Sequence, residues 1–544
     1  MDKQPIRINV AILGIGTVGG GTFDILSRER AMILRTQGLD IRVAKVLDRS
    51  KELIVKRGVP EECAVTSIDD VLSDKSISIV VETMGGVEPA KTFITRALES
   101  GRSVVTANKE LIAKHGKELE PIAKKSGVGL YFEASCTGGI PIIRVLQQGM
   151  QANNLSAVMG IINGTTNYIL TKMAENGLSY ETALRDAQAL GFAEFDPTAD
   201  VEAFDAMYKL SILSTLAFHK HIPYAEIFRE GITGVTAADI ANAAKLGYVI
   251  KLLAIGKRTS AGAHCTMSDG ERGQGAEDKI VGVAVPGDPH LIKSSGSGGS
   301  PGTATPTGNI PSLKRRLAPC GGEVADSESR TPNPESRIEA RVHPCFVPLS
   351  HPLASVRNEF NAVFLKGDSV DDVMLYGRGA GSLPTASAIV SDIVTCAKAK
   401  SHTYTAFSAS TAGGDSEELG VRSEERRMSA ECATGSLGSK QDKKSAIPNS
   451  SLLTPHFKIA SDFESAFYLA LTAEDKAGVL AKIAELFAKY GISIAQMIQS
   501  EAAYGTASII FLTHVTGEAS MQAALSEMKR IKAVKSVDSV IRVL

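Results

Sequence analysis

At 544 residues the chain is too long for one hydrophobic core, and its length suggests roughly three domains. Its 22% of charged residues and formal net charge of −1 show no excess of either sign, which argues against a nucleic-acid partner or an anionic membrane surface. The seven cysteines are scattered, odd in number and without a Cys-x-x-Cys pair, so the sequence predicts neither a disulfide framework nor a zinc knuckle.

The N-terminal segment carries no signature of secretion. No charged leader with an apolar stretch and a cleavage site precedes the strand-like Ile6–Leu13. The sequence also has no run of about 18 apolar residues, so we expect no transmembrane helix. Together with the cysteine usage, these observations favour a cytoplasmic enzyme with no membrane partner.

The first third of the chain alternates short β-branched runs with helical patterns. Such alternation is typical of an α/β fold with a parallel, doubly wound sheet, that is, a Rossmann-type nucleotide-binding domain. The predicted strands are Ile6–Leu13, Ile41–Leu47, Ile77–Glu82, Ser103–Thr106 and Gly129–Glu133, and the clearest helices are Thr22–Arg35 and Ala90–Ser100.

A glycine motif lies between the first strand and the first helix. In Gly14-Ile15-Gly16-Thr17-Val18-Gly19, glycines would allow a tight turn and let backbone amides approach a pyrophosphate. We therefore predict Gly14, Gly16, Thr17, Val18 and Gly19 as cofactor-binding residues, against the alternative of a structural turn. At the end of the second strand, Asp48 favours NAD and the adjacent Arg49 favours NADP, so the preference stays open.

The middle of the chain reads as a mixed α+β domain followed by a linker. From about Gly138 the pattern changes to helices joined by short turns, and Arg337–Phe346 and Asn361–Gly367 are extended again. Thr259–Ser336 and His402–Pro455 are crowded with small and polar residues and lack periodicity, so both are predicted to be disordered. The first would interrupt the middle domain as an insertion.

The last block recovers strong periodicity in the order βαββαβ, which predicts a ferredoxin-like unit. Its predicted elements are Phe467–Leu471, Gly478–Tyr490, Ile492–Ser500, Ala507–Val515, Ser520–Ile531 and Val534–Val543. The predicted organisation is a dinucleotide-binding domain at 1–137 plus 377–400, a substrate and dimerisation domain at 138–376 with an insertion at 259–336, a linker at 401–463 and a regulatory domain at 464–544.

Two lysines stand out as candidates for chemistry. Lys109 follows a short buried strand, where side chains face the ligand crevice of a parallel sheet. Lys209 falls on one predicted helix with Glu202 and Asp205 at helical spacing, and Asp200 suits the N-cap. Either lysine could instead be a solvated surface charge. The apolar flanks of the helix favour charges that line a cleft.

Six motifs in order resemble the homoserine dehydrogenase family. They are GIGTVG at 14–19, TANKE at 106–110, EASCTGGIP at 133–141, GIINGTTNYIL at 160–170, GFAEFDPTADVEAFDAMYKL at 191–210 and YGRGAGSLPTAS at 376–387, and the resemblance covers about 5–257 and 337–400. The fourth, taken alone, could be only a capped turn. The resemblance implies reversible reduction of L-aspartate 4-semialdehyde to L-homoserine with NAD(P)H, a step in threonine, methionine and isoleucine biosynthesis.

The resemblance also implies roles for individual residues. Lys209 would donate the proton to the carbonyl oxygen, and Lys109 would orient the substrate and contact the cofactor. Glu194 and Asp205 would hold the substrate amino group, and Asp200 would support the lysine pair. Physically, a second cation should depress the pKa of the donor, and Asp205 should limit that depression.

Further residues are implied by the same motifs. Glu133, Cys136, Gly138 and Ile140 match a monovalent-cation site, with sodium as the expected ion, and Gly381 matches a backbone contact to the cofactor. Two positions depart from the family pattern. Ala203 stands where glycine is usual and Phe195 where a small residue is common.

The last block resembles an ACT domain through Asp475–Leu480 and the following helix. The resemblance implies a small amino-acid effector, threonine, and pairing of chains in a homodimer or homotetramer. An oligomerisation module without a ligand is the alternative. For the whole chain, the alternatives are a dehydrogenase of another amino-acid semialdehyde and a catalytically impaired amino-acid-binding protein.

Overall fold

The computed structural model describes residues 5–259, 337–399, 458–459, 463–501 and 505–544. The predicted disorder of the insertion and of the linker falls almost entirely outside these residues. At the edges of the two segments, Thr259 is the last residue of a long strand, Lys458–Ile459 pairs with another strand, and Phe463 is buried.

The N-terminal part contains a six-stranded parallel sheet in the order β3-β2-β1-β4-β5-β6. Strands are added outward from β1 in one direction (β2, β3) and then from β1 in the other (β4, β5, β6), which is the order of dinucleotide-binding folds. The predicted Rossmann-type domain is therefore confirmed. The elements are β1 (Ile6–Leu13), α1 (Thr17–Arg28), α2 (Arg30–Gln37), β2 (Leu39–Leu47), α3 (Lys51–Lys56), β3 (Ala64–Val65), α4 (Ile68–Ser73), β4 (Ile77–Glu82), α5 (Ala90–Glu99), β5 (Ser103–Thr106), α6 (Lys109–Ser126) and β6 (Leu130–Tyr131).

Two predicted elements of this part are wrong in their bounds. The single helix predicted from Thr22 is two helices that meet at Glu29, and the first begins already at Thr17, directly after the glycine turn. The last strand ends at Tyr131 rather than at Glu133. The chain turns there because the Glu133 carboxylate accepts hydrogen bonds from the backbone amides of Ile143 and Arg144.

The middle part contains an antiparallel run of strands in the order β12-β11-β7-β9-β10. The predicted mixed α+β character is therefore present, and helix α11 is buried along almost its whole length. The elements are α7 (Ile142–Arg144), β7 (Leu155–Ile161), α8 (Gly164–Asn176), α9 (Tyr180–Ala189), α10 (Thr198–Val201), α11 (Phe204–Phe218), β8 (Phe228–Arg229), α12 (Ala237–Lys245), β9 (Tyr248–Thr259), β10 (Arg337–Pro348), β11 (Phe360–Gly367), β12 (Asp371–Arg378) and α13 (Ser382–Lys398).

Helix α13 brings the chain back to the N-terminal sheet. Ile389 and Ile393 share a core with Val10 and Ile12 of β1, and the Ser382 hydroxyl donates to the carbonyl oxygen of Thr17 at 2.7 Å. The turn that precedes α13 therefore lies against the start of α1.

The C-terminal block has the predicted βαββαβ order, with its main strands arranged β18-β14-β16-β15. Strand β18 also pairs in parallel with β10 through Cys345 and Phe346, so the two sheets are continuous. The elements are β13 (Lys458–Ile459), β14 (Glu464–Glu474), α14 (Val479–Lys489), β15 (Ile494–Glu501), β16 (Thr506–Thr513), β17 (Thr516–Gly517), α15 (Glu518–Met528) and β18 (Val534–Val543). Tyr468 and Ile541 belong to the same core cluster as the middle part.

Candidate active site

The glycine turn after β1 has the geometry of a pyrophosphate cradle. Gly14 has a φ of +91°, which a side chain would strain, and a Cβ at Gly19 would overlap the carbonyl oxygen of Gly14. A Cβ at Gly16 would meet no atom within 4 Å, so the backbone is open to a ligand at that point. No side chain caps α1 at Gly16, which leaves its first amides available to an anion.

Two further predicted residues border this turn. The Asp48 carboxylate accepts hydrogen bonds from the backbone amides of Ile15 at 2.9 Å and Arg49 at 2.7 Å, so it fixes the glycine turn from the end of β2. Gly381 is the N-cap of α13 with a φ of +116°. It precedes Ser382, which contacts Thr17, so the structure brings Gly381 to the cofactor side of the sheet.

Lys109 and Lys209 meet at one carboxylate. Lys209 Nζ donates to Asp205 Oδ2 at 2.7 Å and to the carbonyl oxygen of Ile162 at 2.9 Å. Lys109 Nζ lies 3.1 Å from Asp205 Oδ1. Lys109 begins α6, one residue after the N-cap Asn108, and Lys209 lies on α11. Residues 100 positions apart in sequence thus share one ion-pair centre.

The electrostatics of this centre follow from burial and from the two cations. Burial alone would raise the pKa of Asp205, but the ammonium groups of Lys209 and Lys109 outweigh it, and the pKa is lowered. The charge of Asp205 is the main cause that raises the pKa of Lys109, against the effect of burial. The Lys109 side chain is 43% exposed and that of Lys209 only 10%, so one lysine faces the crevice and the other lies deeper.

A second carboxylate lies beside the first. Asp200 Oδ1 accepts a hydrogen bond from Asn163 Nδ2 at 2.7 Å, and the same nitrogen donates to Asp205 Oδ2 at 2.9 Å. Burial, and next the charge of Asp205, raise the pKa of Asp200. Asp200 and Asp205 were predicted as site residues, but Asn163 was not. The only signal for it was the polar turn in GIINGTTNYIL, which we interpreted as a cap.

The helix predicted to carry these charges is broken, which corrects two expectations. Ala203 has a φ of +63° and separates α10 from α11. Glu202 therefore lies outside α11, where it accepts a hydrogen bond from Thr233 instead of sharing a face with Asp205. Asp200 is not an N-cap but a residue of the first turn of α10, whose N-cap is Pro197.

Glu194 is not brought to the lysine pair. It lies in the exposed turn between α9 and α10, and its carbonyl oxygen accepts a hydrogen bond from Gln188 at 3.1 Å. Within the described part of the chain, its carboxylate has no hydrogen-bond or ion-pair partner. The neighbouring Phe195 is 99% exposed, so its bulk does not disturb the packing of the catalytic helix.

The predicted cation site is a buried turn whose side chains are unsuited to a metal. The Glu133 carboxylate is occupied by two backbone amides, and burial raises the pKa of the Cys136 thiol to about 12, which keeps it neutral. The main-chain carbonyl oxygens of Glu133, Cys136, Gly138 and Ile140 are hard donors of the kind that suits a sodium ion. Those of Glu133 and Ile140 also accept backbone hydrogen bonds, from Cys136 at 3.4 Å and from Ile142 at 2.8 Å. Among the described residues, no group of three or more His, Cys, Asp or Glu side chains could hold a metal ion.

A glycine turn at the first β–α crossover, together with a lysine pair that shares one carboxylate, defines an NAD(P)-dependent oxidoreductase. Comparison with protein families agrees. Residues 14–133 match the NAD-binding domain of homoserine dehydrogenase, residues 141–294 and 315–394 match the homoserine dehydrogenase domain, and residues 467–533 match the ACT domain. The chain belongs to the homoserine dehydrogenase family.

Individual relatives show that the similarity spans nearly the whole chain. Homoserine dehydrogenase of Bacillus subtilis is 32% identical over 540 residues, which cover 98% of each chain. That of Synechocystis is 32% identical over 99% of this chain and 100% of its own. The crystal structure of a homoserine dehydrogenase from Thiobacillus denitrificans has a TM-score of 0.73 and 32% identity, and covers 100% of this chain and 99% of its own.

The family match also bears on the predicted insertion Thr259–Ser336. The family match continues from Thr259 to residue 294 and resumes at 315, so only residues 295–314 of the predicted insertion lie outside it. Most of Thr259–Ser336, which was predicted as an insertion into the middle domain, therefore has a counterpart in the family. Separately, no helix in the described residues is long and apolar enough to cross a membrane.

Proposed function

We propose that Lys209 is the proton donor in the interconversion of L-aspartate 4-semialdehyde and L-homoserine, and that Lys109 positions the substrate. The observation that supports this is the shared carboxylate, since Asp205 holds both ammonium groups at the edge of the cofactor crevice. The bound nicotinamide supplies or accepts the hydride. Lys209 then offsets the charge that develops on the substrate oxygen and transfers a proton to it.

The deep position of Lys209 suits a donor. Two of its three protons are directed by Asp205 and the carbonyl oxygen of Ile162, which orients the ammonium group and leaves one proton for the substrate oxygen. Lys109 is more exposed and pairs with the other oxygen of Asp205, which suits contact with both substrate and cofactor. We propose that Asp205 contacts the substrate ammonium group, and that Glu194 joins it there only if the exposed turn before α10 moves towards Asp205 when the substrate binds.

The donor assignment is tested with Lys209→Ala and Lys209→Arg. We expect both to lose roughly a hundredfold or more in kcat, since a general acid typically contributes that much and a guanidinium does not release its proton. Lys172→Ala on α8, outside the cluster, is the control and should keep its kcat. Turnover of Lys209→Ala near that of the wild-type protein would refute the assignment.

We also propose that a sodium ion is held by the carbonyls of the turn 133–140. The buried, oxygen-only donor set supports this, and the ion would tie the turn between β6 and α7 to its neighbours. Thermal unfolding in sodium, potassium and choline chloride at equal ionic strength tests it. A higher midpoint in sodium is expected, and equal midpoints in all three salts would argue against a specific site.

The ACT block is proposed to bind threonine as an effector. Its Gly478 turn, with a φ of +85°, directly precedes α14, and a helix N-terminus attracts a carboxylate. Removing residues 464–544 would be a poor test, because β18 pairs with β10 in the shared sheet. In the full chain, Gly478→Val should weaken threonine inhibition, whereas Gly491→Val, an equally strained turn at the other end of α14, should retain it.

We also propose an assembly state and a cellular location for the protein. A homodimer or homotetramer fits the pairing habit of ACT domains, and light scattering of the purified protein measures it directly. A cytoplasmic location fits the four described cysteines, which are all unpaired thiols.

A further inference from the structure

One side chain saturates its hydrogen-bonding capacity at the centre of the site. Asn163 is the N-cap of α8, directly after β7, and is 5% exposed. Its Oδ1 accepts from the backbone amide and the hydroxyl of Thr166, both at 2.9 Å. Its Nδ2 donates to Asp200 at 2.7 Å and to Asp205 at 2.9 Å. Two donors and two acceptors are all that a carboxamide offers.

The orientation of this carboxamide is unambiguous. The backbone amide of Thr166 can only donate, so the atom facing it must be the oxygen, and the NH2 group must face the two carboxylates. A single neutral group therefore bridges two buried acids. Each proton of the NH2 group is donated to one carboxylate. Because the group is neutral, it does not displace a lysine from either carboxylate.

We propose that Asn163 is a positioning residue for the reaction, which holds Asp200 and Asp205 so that the oxygens of Asp205 are divided between the two lysines. Asp205 Oδ2 accepts from both Asn163 and Lys209, which leaves Oδ1 to Lys109. The residue before Asn163 takes part as well, because Lys209 also donates to the carbonyl oxygen of Ile162. The end of β7 thus holds the carboxylate and the ammonium group together.

The choice of a neutral donor matters for charge. The charged or titratable groups that face this cluster are Asp200 from α10, Asp205 and Lys209 from α11, Lys109 from α6 and Cys136 from the turn after β6. A cation in place of the amide would compete with the lysines for Asp205. An apolar side chain would leave two buried carboxylates adjacent without a shared donor, which is costly.

Two substitutions distinguish a positioning role of Asn163 from its role as the N-cap of α8. Aspartate and serine are both good N-caps, so the cap is kept in both variants. Asn163→Ser keeps a capping oxygen and removes the NH2 donor. Asn163→Asp keeps the shape and the cap but places a third carboxylate in the cluster. For both we expect kcat to fall by roughly a hundredfold, the scale of a misplaced catalytic group. The Kd for NAD(P)H, measured by fluorescence, should stay within about twofold, since the glycine turn is untouched.

The pH profile supplies a readout that a structural role would not move. In Asn163→Asp the introduced carboxyl is buried beside two acids, so its pKa is raised, and at low pH its O–H can donate where the amide did. The kcat of this variant relative to wild type should therefore rise as the pH falls. Asn163→Ser has no such group, and its relative kcat should be independent of pH.

Asn167 on the same helix is the matched control. It is also buried and saturated, but it bonds the carbonyls of Val356, Asn358 and Phe360 and accepts from Lys251, away from the cluster. Asn167→Asp should lower the melting temperature and leave the kcat of the folded protein within about twofold.

The inference rests on the proposed role of Lys209, and the two can fail separately. If Lys209→Ala remains active, the donor assignment fails whatever Asn163 does. If Lys209→Ala is inactive but both Asn163 variants keep a kcat within about threefold of wild type, the positioning role is overturned while the donor stands.

Discussion

At the scale of single residues, the site depends on one carboxylate with two cationic partners. Asp205 lies between Lys109 and Lys209, so it cancels the repulsion that would otherwise keep two ammonium groups apart. The charge of Asp205 also raises the pKa of Lys109, against the effect of burial. Replacing this carboxylate changes the charge state of the site as well as its geometry.

We predict that Asp205→Asn shifts the alkaline limb of activity to lower pH. The charge of Asp205 is the largest cause that raises the pKa of Lys109, and burial acts against it. Without the charge, burial remains and the pKa falls, so the cationic form of Lys109 is lost at lower pH than in the wild-type protein. We also expect kcat to drop by roughly a hundredfold or more, because Lys209 loses the partner that orients it.

The measurement is the pH dependence of kcat/KM in both proteins. Asp196→Asn, which removes an exposed carboxylate from the turn before α10, is the control and should leave the profile unchanged. An alkaline limb of Asp205→Asn that stays in place or moves upward would contradict the prediction.

At the scale of elements, the strands and the glycine turn follow from the sequence, but the break in the catalytic helix does not. Apolar residues continue on both sides of Ala203, and alanine is the strongest helix former, so periodicity favours one helix. The break depends on tertiary contacts. Gly231 passes so close to Val201 that a Cβ would overlap its carbonyl oxygen, and Arg229 donates to the carbonyl oxygen of Glu202.

The same lesson holds for Asn163 and Glu133. Each follows a strand and precedes a helical turn, so local pattern suggests a cap or a strand residue. The partners of Asn163 lie 37 and 42 residues away in α10 and α11, and those of Glu133 lie 10 and 11 residues away in α7. Neither residue shares a strand or helix with its partners, so periodic spacing does not reveal them. The sequence predicted that Lys109, Lys209, Asp200 and Asp205 belong together. The fold was needed to show that Glu194 and Glu202 lie elsewhere and which atoms the cluster shares.

We predict that Ala203→Gly stabilises the protein. A φ of +63° costs an alanine about 1 kcal/mol that a glycine does not pay, although glycine regains some entropy in the unfolded chain. The net gain should be a rise in stability of up to about 1 kcal/mol with kcat retained, measured by urea unfolding. Ala183→Gly, at a buried position inside α9, should instead lose about 1 kcal/mol. A loss in both variants would show that Ala203 carries no strain.

In the glycine turn, we predict that alanine at Gly19 lowers stability, whereas alanine at Gly16 weakens cofactor binding. Gly19→Ala should destabilise the protein, because its Cβ would overlap the carbonyl oxygen of Gly14. Gly16→Ala meets no atom and should fold normally, but its methyl group would stand where the backbone is open to the pyrophosphate. We expect its Kd for NAD(P)H to rise roughly tenfold, measured by fluorescence titration, with an unchanged melting temperature. Tight binding by Gly16→Ala would contradict the cradle.

At the scale of the whole molecule, the ACT block is continuous with the sheet of the middle part, because β18 pairs with β10. Arg542 on β18 is 3% exposed and donates to both oxygens of Glu518, while its third nitrogen donates to Glu230, next to β8. Glu230 in turn follows Arg229, which binds Glu202 just before the break at Ala203. A continuous set of contacts therefore runs from the ACT block to the start of the catalytic helix.

We predict that Arg542→Met loosens both blocks together. Glu518 is buried, so removing the guanidinium leaves an uncompensated carboxylate, and the expected loss of stability is about 3–5 kcal/mol. Because β18 and β10 share hydrogen bonds at Cys345 and Phe346, amides of both strands should lose protection in hydrogen exchange, and the weakened hold on Glu230 should reduce threonine inhibition. Lys529→Met, at the C-cap of α15, removes an exposed cation and should change neither the exchange protection nor the threonine inhibition. Loss of protection in β18 with β10 unaffected would mean that the two blocks unfold separately. In that case the contacts through Arg542 and Glu230 would not connect the ACT block to α11.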